Sequence, residues 1–196
     1  MVLEIIFFLL IFIVFYTYLG YGILIWCMVK IKELFSPYNK NSSTIELPEV
    51  TLLIAAYNEE SIIGEKMDNI QSLDYPKDKL RIVWVTDGST DNTTTKLAAY
   101  KNIEVLFEPE RKGKTAAINR SMPYIKTPIV VFSDANAILN PESIKEIVSL
   151  FIDNKVGCVA AEKRISTQSK DSASSSGEGF YWRYESFLKN LDSRLY

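Results

Sequence analysis

The sequence predicts an α/β fold, a mostly parallel sheet flanked by helices, preceded by one membrane-spanning helix. Short β-branched runs alternate with segments of helical spacing from Val50 onward, the pattern of strand–helix–strand units. Those runs are almost wholly apolar, as strands are when helices cover both faces of a sheet. Ahead of them, twenty-five uncharged residues run from Ile5 to Val29. At about 1.5 Å per residue that length crosses a hydrocarbon layer about 30 Å thick with some tilt.

Residues 1–35 form the expected anchor. A cleavable signal peptide is the alternative, but Glu4 stands where a basic region is required, and aromatic residues fill the second half of the run. The run is also longer than a signal h-region of about 7 to 15 residues. Lys30, Lys32 and Lys40 follow the span, whereas Glu4 precedes it. The positive-inside bias therefore puts everything after Lys30 in the cytoplasm and the N-terminus outside. Residues 36–48, rich in Asn, Ser and Pro, read as a linker. Residues 49–196 read as one further domain, within the roughly 100 to 200 residues that a single core organises.

Within that domain the expected strands are Val50–Ala56, Leu80–Thr86, Ile103–Phe107 and Ile129–Ser133, with Gly157–Ala161 as a fifth. Ser61–Leu73 carries Ile62, Ile63, Met67 and Ile70 at helical spacing and is closed by Asp74-Tyr75-Pro76. Asp91–Tyr100 and Lys114–Ile125 are weaker helical candidates. Asn140-Pro141-Glu142 combines a cap residue, a first-turn proline and an early acid, so a helix is expected to start there and run through Ile144, Ile147, Leu150 and Phe151. Ser166–Gly179 is Ser- and Gly-rich and reads as a mobile surface loop, either a solvated linker or a substrate lid. Beyond it, Phe180, Tyr184, Phe187, Leu188, Leu191 and Leu195 recur at helical intervals with charged residues between them, an amphipathic helix.

Composition removes several function classes. A net charge of −2 and a pI of about 5.4 give no electrostatic footprint for nucleic acid. Cys27 lies in the span and Cys158 in an apolar segment, so no disulfide framework is expected. Histidine is absent, which removes Ser-His-Asp and Cys-His catalysis and argues against zinc. Carboxylates, lysines and an oxygen-ligated metal are left to carry chemistry.

Ligands of open parallel sheets bind beyond the carboxyl ends of the strands. Those positions are polar here: Tyr57-Asn58-Glu59-Glu60, Asp87-Gly88-Ser89-Thr90-Asp91 and Asp134-Ala135-Asn136. Singly, each reads as well as a turn, a helix cap or a solvated acid. Asp134 and Asn136, at i and i+2 of an extended segment, can aim oxygens the same way toward a hard cation sharing phosphates. Arg111-Lys112-Gly113-Lys114-Thr115 offers charge for phosphates, and a helix start at Gly113 would add backbone donors. Taken alone it is a solvated basic loop. A P-loop reading of Gly-Lys-Thr fails because Glu108 stands where the first glycine is required, and no G-x-G-x-x-G occurs.

Together, Val50–Glu60, Val85–Asp91, Arg111–Asn119 and Val131–Asn136, in that order and spacing, resemble family 2 glycosyltransferases of the Rossmann-like GT-A fold, in the group similar to cellulose synthase. Val156–Ala161 and Tyr181–Glu185 look like later, less specific segments of that group. The resemblance makes residues 49–196 a donor-binding domain. It implies that Ala56, Tyr57 and Glu59 line the nucleotide pocket, that Asp87 contacts the base, usually uracil, and that Lys114 lies near the base or diphosphate. Asp134 and Asn136 fall at the family's D-x-D position, Asp134 facing ribose and metal-bound phosphates and Asn136 ligating magnesium or manganese. Asn136 departs from the acidic pattern, and a neutral ligand should hold the ion less tightly.

The implied reaction is displacement at the anomeric carbon of a nucleotide sugar by a hydroxyl of a glycan or other acceptor, with inversion. In the family the acceptor base is a later aspartate followed in processive members by Q-x-x-R-W. The glutamines here, Gln71 and Gln168, do not begin that motif. The expectation is therefore a donor site without a complete acceptor site: a fragment, a truncated product, or half of an enzyme completed by another subunit. A noncatalytic membrane-bound nucleotide-sugar-binding or scaffold subunit is the alternative.

Overall fold

Four parallel strands pair in the order β3-β2-β1-β4: β1 is Val50–Ala56, β2 Leu80–Asp87, β3 Glu104–Glu108 and β4 Ile129–Asp134. This is a computed structural model, and it describes residues 1–35, 46–162 and 173–195. Chain contacts divide it into two compact units, Thr44–Val159 and a second made of Met1–Ser43 with Ala160–Tyr196.

In the first unit the period-two geometry of β1 and β2 sorts their side chains onto two cores. Val50, Leu52, Ile54, Leu80, Ile82 and Trp84 pack with Ile63, Met67 and Ile70 of α3 (Ile63–Gln71), Leu97 of α4 (Thr93–Ala98), and Ile144 and Val148 of α6 (Ser143–Leu150). Leu53, Val83 and Val85 face the other way, onto Ala117 of α5 (Lys114–Ser121). Both faces of the central strands are thus covered, which is why their sequences lack a polar alternation.

The four main strand expectations match within a residue or so, the usual uncertainty of element ends. Gly157–Ala161 does not form a strand. Most of that segment is exposed, and among the described residues no neighbouring strand supplies the ladder a fifth strand would need. The helix expected from Asn140 begins at Ser143 instead, because the Pro141 carbonyl accepts the Asp74 amide at 2.8 Å rather than a helical one. The segment expected as one helix through Ile125 changes after Ser121 to a 3-10 turn, Met122–Tyr124. Pro123 lacks the N–H an α-helix would use there.

The second unit contains one long helix, Val2–Phe35, apolar and long enough to cross a membrane by length and composition. It comprises α1 (Val2–Phe15), a π turn (Tyr16–Gly20) and α2 (Tyr21–Phe35). Helix α7 (Ala173–Leu195) packs on α2, burying Ile25, Val29 and Leu191 together. Gly22 permits the close approach: a Cβ there would sit 3.0 Å from the Tyr184 hydroxyl. Lys32 Nζ donates to the carbonyls of Arg194 and Leu195 at 3.0 and 2.8 Å, supplying a cation to the last turn of α7. The Ser/Gly-rich segment expected as a loop lies outside the described residues up to Ser172. From Ala173 to Gly179 it is helical, since propagating an existing helix adds one hydrogen bond per residue fixed and tolerates weak formers. Of the expected linker, residues 36–45 also lie outside the described residues.

Candidate functional site

The carboxyl edge of the sheet opens into a cleft of about 340 Å³. Its floor follows from register. Ala55 of β1 pairs with Asp134 of β4 on one side and Val85 of β2 on the other, and Asp87 lies two residues beyond Val85 on the same face. Two carboxylates therefore flank a small residue, and Ala117 at the base of α5 is small too. An elongated ligand can rest one end on Asp87 and the other on Asp134, two strands away, a lateral distance of about 10 Å.

Asp87 shapes one wall. Only 4% exposed, its Oδ2 accepts the Gly113 amide at 2.6 Å and the Lys112 amide at 3.1 Å, while Arg120 Nη1 lies 3.6 Å from Oδ1. The basic loop is thereby pulled onto the end of β2. Gly88 makes the approach possible. Its φ is +68°, and a Cβ would meet the Arg111 amide nitrogen at 2.7 Å. Gly113 caps α5 with φ 92° and ψ 160°, a conformation essentially reserved for glycine. Held this way, the Arg111 guanidinium lies 3.9 Å above the centroid of the Tyr57 ring, a cation–π pair at the cleft mouth.

The turn after β1 is fixed from the other side. Asn58 takes φ 55°, which asparagine tolerates, and its Oδ1 accepts the Thr90 amide at 2.8 Å. The Glu59 amide donates to Thr93 Oγ1 at 2.8 Å, and the Glu60 amide to Asp91 Oδ2 at 3.1 Å. Burial raises the Asp91 carboxyl, but the bond from Glu60 and those Asp91 itself receives from Thr93, whose amide donates to Oδ1 at 3.0 Å, outweigh it and hold its pKa below the ordinary value.

Across the cleft, Lys114 Nζ pairs with Asp134 Oδ1, and both side chains are about half exposed. Lys66 of α3 is 1% exposed; its ammonium donates to Ser133 Oγ at 2.8 Å and to the Ala137 carbonyl. Burial pushes its pKa down to about 8, against the pull of the nearby Asp134 charge. Among the described residues no three His, Cys, Asp or Glu side chains converge. Asp134 and Asn136 thus offer one carboxylate and one amide oxygen. That set fits magnesium or manganese only when phosphates and water complete the shell, as hard cations commonly allow.

Ala56, Tyr57, Glu59, Asp87, Lys114, Asp134 and Asn136, all named from sequence, line this single cleft. Sequence reading missed Lys66 and Asn69, whose helical spacing marks only α3, and the small floor residues Ala55 and Ala117. It quoted Arg111 as one of several loop cations without foreseeing its place over Tyr57.

Comparisons with known proteins agree on the family. The profile described as Glycosyl transferase family 2 matches residues 51–194. Beta-monoglucosyldiacylglycerol synthase of Nostoc sp. is 34% identical over 125 residues, 61% of this chain and 27% of the relative. Poly-beta-1,6-N-acetyl-D-glucosamine synthase of Staphylococcus aureus is 31% identical over 128 residues, 63% of this chain and 31% of the relative. This chain therefore spans less than a third of the length of these curated relatives. Among solved structures, the mannosyltransferase PcManGT from Pyrobaculum calidifontis, in complex with GDP-Man and Mn2+, superposes with a TM-score of 0.65 at 31% identity, over 76% of this chain and 45% of that one. Parallel sheet, flanking helices and neighbour place the fold among GT-A transferases. With the profile covering most of its length, the chain belongs to glycosyl transferase family 2.

Proposed function

We propose that this chain carries the donor site of a membrane-anchored glycosyltransferase and holds a nucleoside diphosphate sugar, a UDP-sugar by preference, in the cleft between Asp87 and Asp134. The observation that carries this reading is the convergence of seven residues from three strand ends and the start of α5 on one cleft, with Lys114 paired to Asp134 and Arg111 stacked over Tyr57. The relatives named for glucosyl and N-acetylglucosamine products, and the neighbour holding GDP-Man and Mn2+, support a nucleotide-sugar donor.

In this reading the base lies against the Tyr57–Arg111 pair. Asp87, which retains acceptor capacity beyond the bonds to the basic loop, receives an N–H from the base. Lys114 exchanges Asp134 for the diphosphate, and the start of α5 directs backbone N–H groups at it. Asp134 and Asn136 would hold magnesium or manganese, which when bound neutralises charge developing on the departing diphosphate. The chain's own part is to orient the anomeric carbon toward an acceptor hydroxyl, of a glycan or a lipid, which displaces the diphosphate with inversion. None of the cleft residues is assigned as the acceptor base. The N-terminal helix, read with the lysines that follow it, keeps the cleft on the cytoplasmic side.

Hydrogen exchange of the full chain in detergent, with and without UDP and Mn2+, tests the reading. Protection of amides in 55–60, 87–91, 111–117 and 134–137 is expected, and protection confined to other segments would overturn it. Assay of the same sample for sugar transfer to oligosaccharide or diacylglycerol separates an enzyme from a subunit that only binds the donor.

A further inference from the structure

Two side chains of α3 reach the turn that follows β4, and the donor site does not explain them. Lys66 and Asn69 are three residues apart and so share a helix face. Lys66 Nζ donates to Ser133 Oγ at 2.8 Å and to the Ala137 carbonyl, bridging the two sides of the Asp134-Ala135-Asn136 turn from beneath. Asn69 continues the seam. Its Nδ2 donates to the Leu139 carbonyl at 2.7 Å and its Oδ1 accepts the Leu139 amide at 2.9 Å. Ala135, 3% exposed, packs into the core between these anchor points, so its neighbours at 134 and 136 project away from the core.

Burying a lysine amine is costly, and an apolar side chain of that size would fill the space without the cost. The amine is worth its burial only if the turn must be held. Ligand geometry at a metal site generally depends on such outer contacts, which fix the first set of oxygens.

We infer that Lys66 and Asn69 are positioning residues that hold the 133–139 turn in the one shape in which Asp134 and Asn136 together receive a metal-bound diphosphate. This rests on the donor-site reading. A purely structural role would lower stability and leave the metal response intact; a positioning role moves the metal response itself.

The test is titration of the full chain in detergent with UDP, in Mn2+ and in chelator, for wild type, Lys66→Met and Asn69→Ala. The quantity read is the gain in UDP affinity that Mn2+ brings. Each variant is expected to reduce that gain about tenfold, the common effect of removing an outer contact, while metal-free UDP affinity stays within about twofold. Exchange of the Leu139 amide should accelerate in Asn69→Ala. Should Lys66→Met fail to fold, Asn69→Ala, at a half-buried position, decides alone. A gain that survives in the folded variants overturns the inference while leaving the donor site standing. A wild-type chain that binds no UDP overturns the donor-site reading, and the inference falls with it.

Discussion

The Gly113 amide donates to Asp87 Oδ2 at 2.6 Å, tying the end of β2 to the first turn of α5 across 26 residues of sequence. One buried carboxylate thus sets where the basic loop stands over the cleft.

Asp87→Ala should cost roughly 3 kcal/mol, because it strands two amides and leaves Arg120 beside a vacated, desolvated position. Urea unfolding of the full chain in detergent measures this. UDP affinity should fall along with stability, since Arg111 loses its place over Tyr57.

Gly88→Ala and Gly113→Ala separate strain from collision. Both positions have positive φ, but a Cβ at Gly88 meets the Arg111 amide at 2.7 Å, whereas nothing lies within 4 Å at Gly113. Gly113→Ala should cost about 1 to 3 kcal/mol of backbone strain, and Gly88→Ala measurably more. Equal losses in denaturant midpoint would contradict the close contact.

Lys66 gives a pH signature. Its pKa falls from the ordinary 10.5 to about 8 through burial. Below pH 8 both folded and unfolded chains carry the proton, and the desolvation cost is fully present. Between pH 8 and 10.5 the unfolded chain binds more protons, so stability rises with pH. Wild type should therefore gain stability relative to Lys66→Met across that window and run parallel to it below.

Lys114→Met should affect two ligands in opposite directions. Removing the cation paired with Asp134 frees that carboxylate for Mn2+, while UDP loses a phosphate contact. Calorimetry should show tighter Mn2+ binding and UDP binding weakened severalfold. Asn136→Asp should tighten Mn2+ binding without that loss, by adding ligand charge.

Much of this site was legible before the structure. Strand ends are predictable from apolar runs, and a parallel sheet places whatever follows them on one edge, so Tyr57, Asp87 and Asp134 could be found by position and residue type. The fifth strand was misread because Gly157–Ala161 has strand composition, whereas strand formation depends on a partner that composition does not encode. Lys66 was invisible for a related reason: a lysine in an amphipathic helix is normally solvated, and only the tertiary placement of Ser133 and Ala137 over α3 turns it inward. Asp87 read from sequence as a turn residue or a ligand group. Its second task, holding the 112–113 amides, depends on a contact with no local signature.

The most direct measurement is the affinity of the full chain for UDP in the presence of Mn2+, compared between wild type and Asp134→Ala. Manganese-dependent binding that falls about tenfold or more in the variant is the expected result. Equal affinity in the two proteins, or binding indifferent to Mn2+ in both, would contradict the assignment of Asp134 and Asn136 as the place where metal and diphosphate meet.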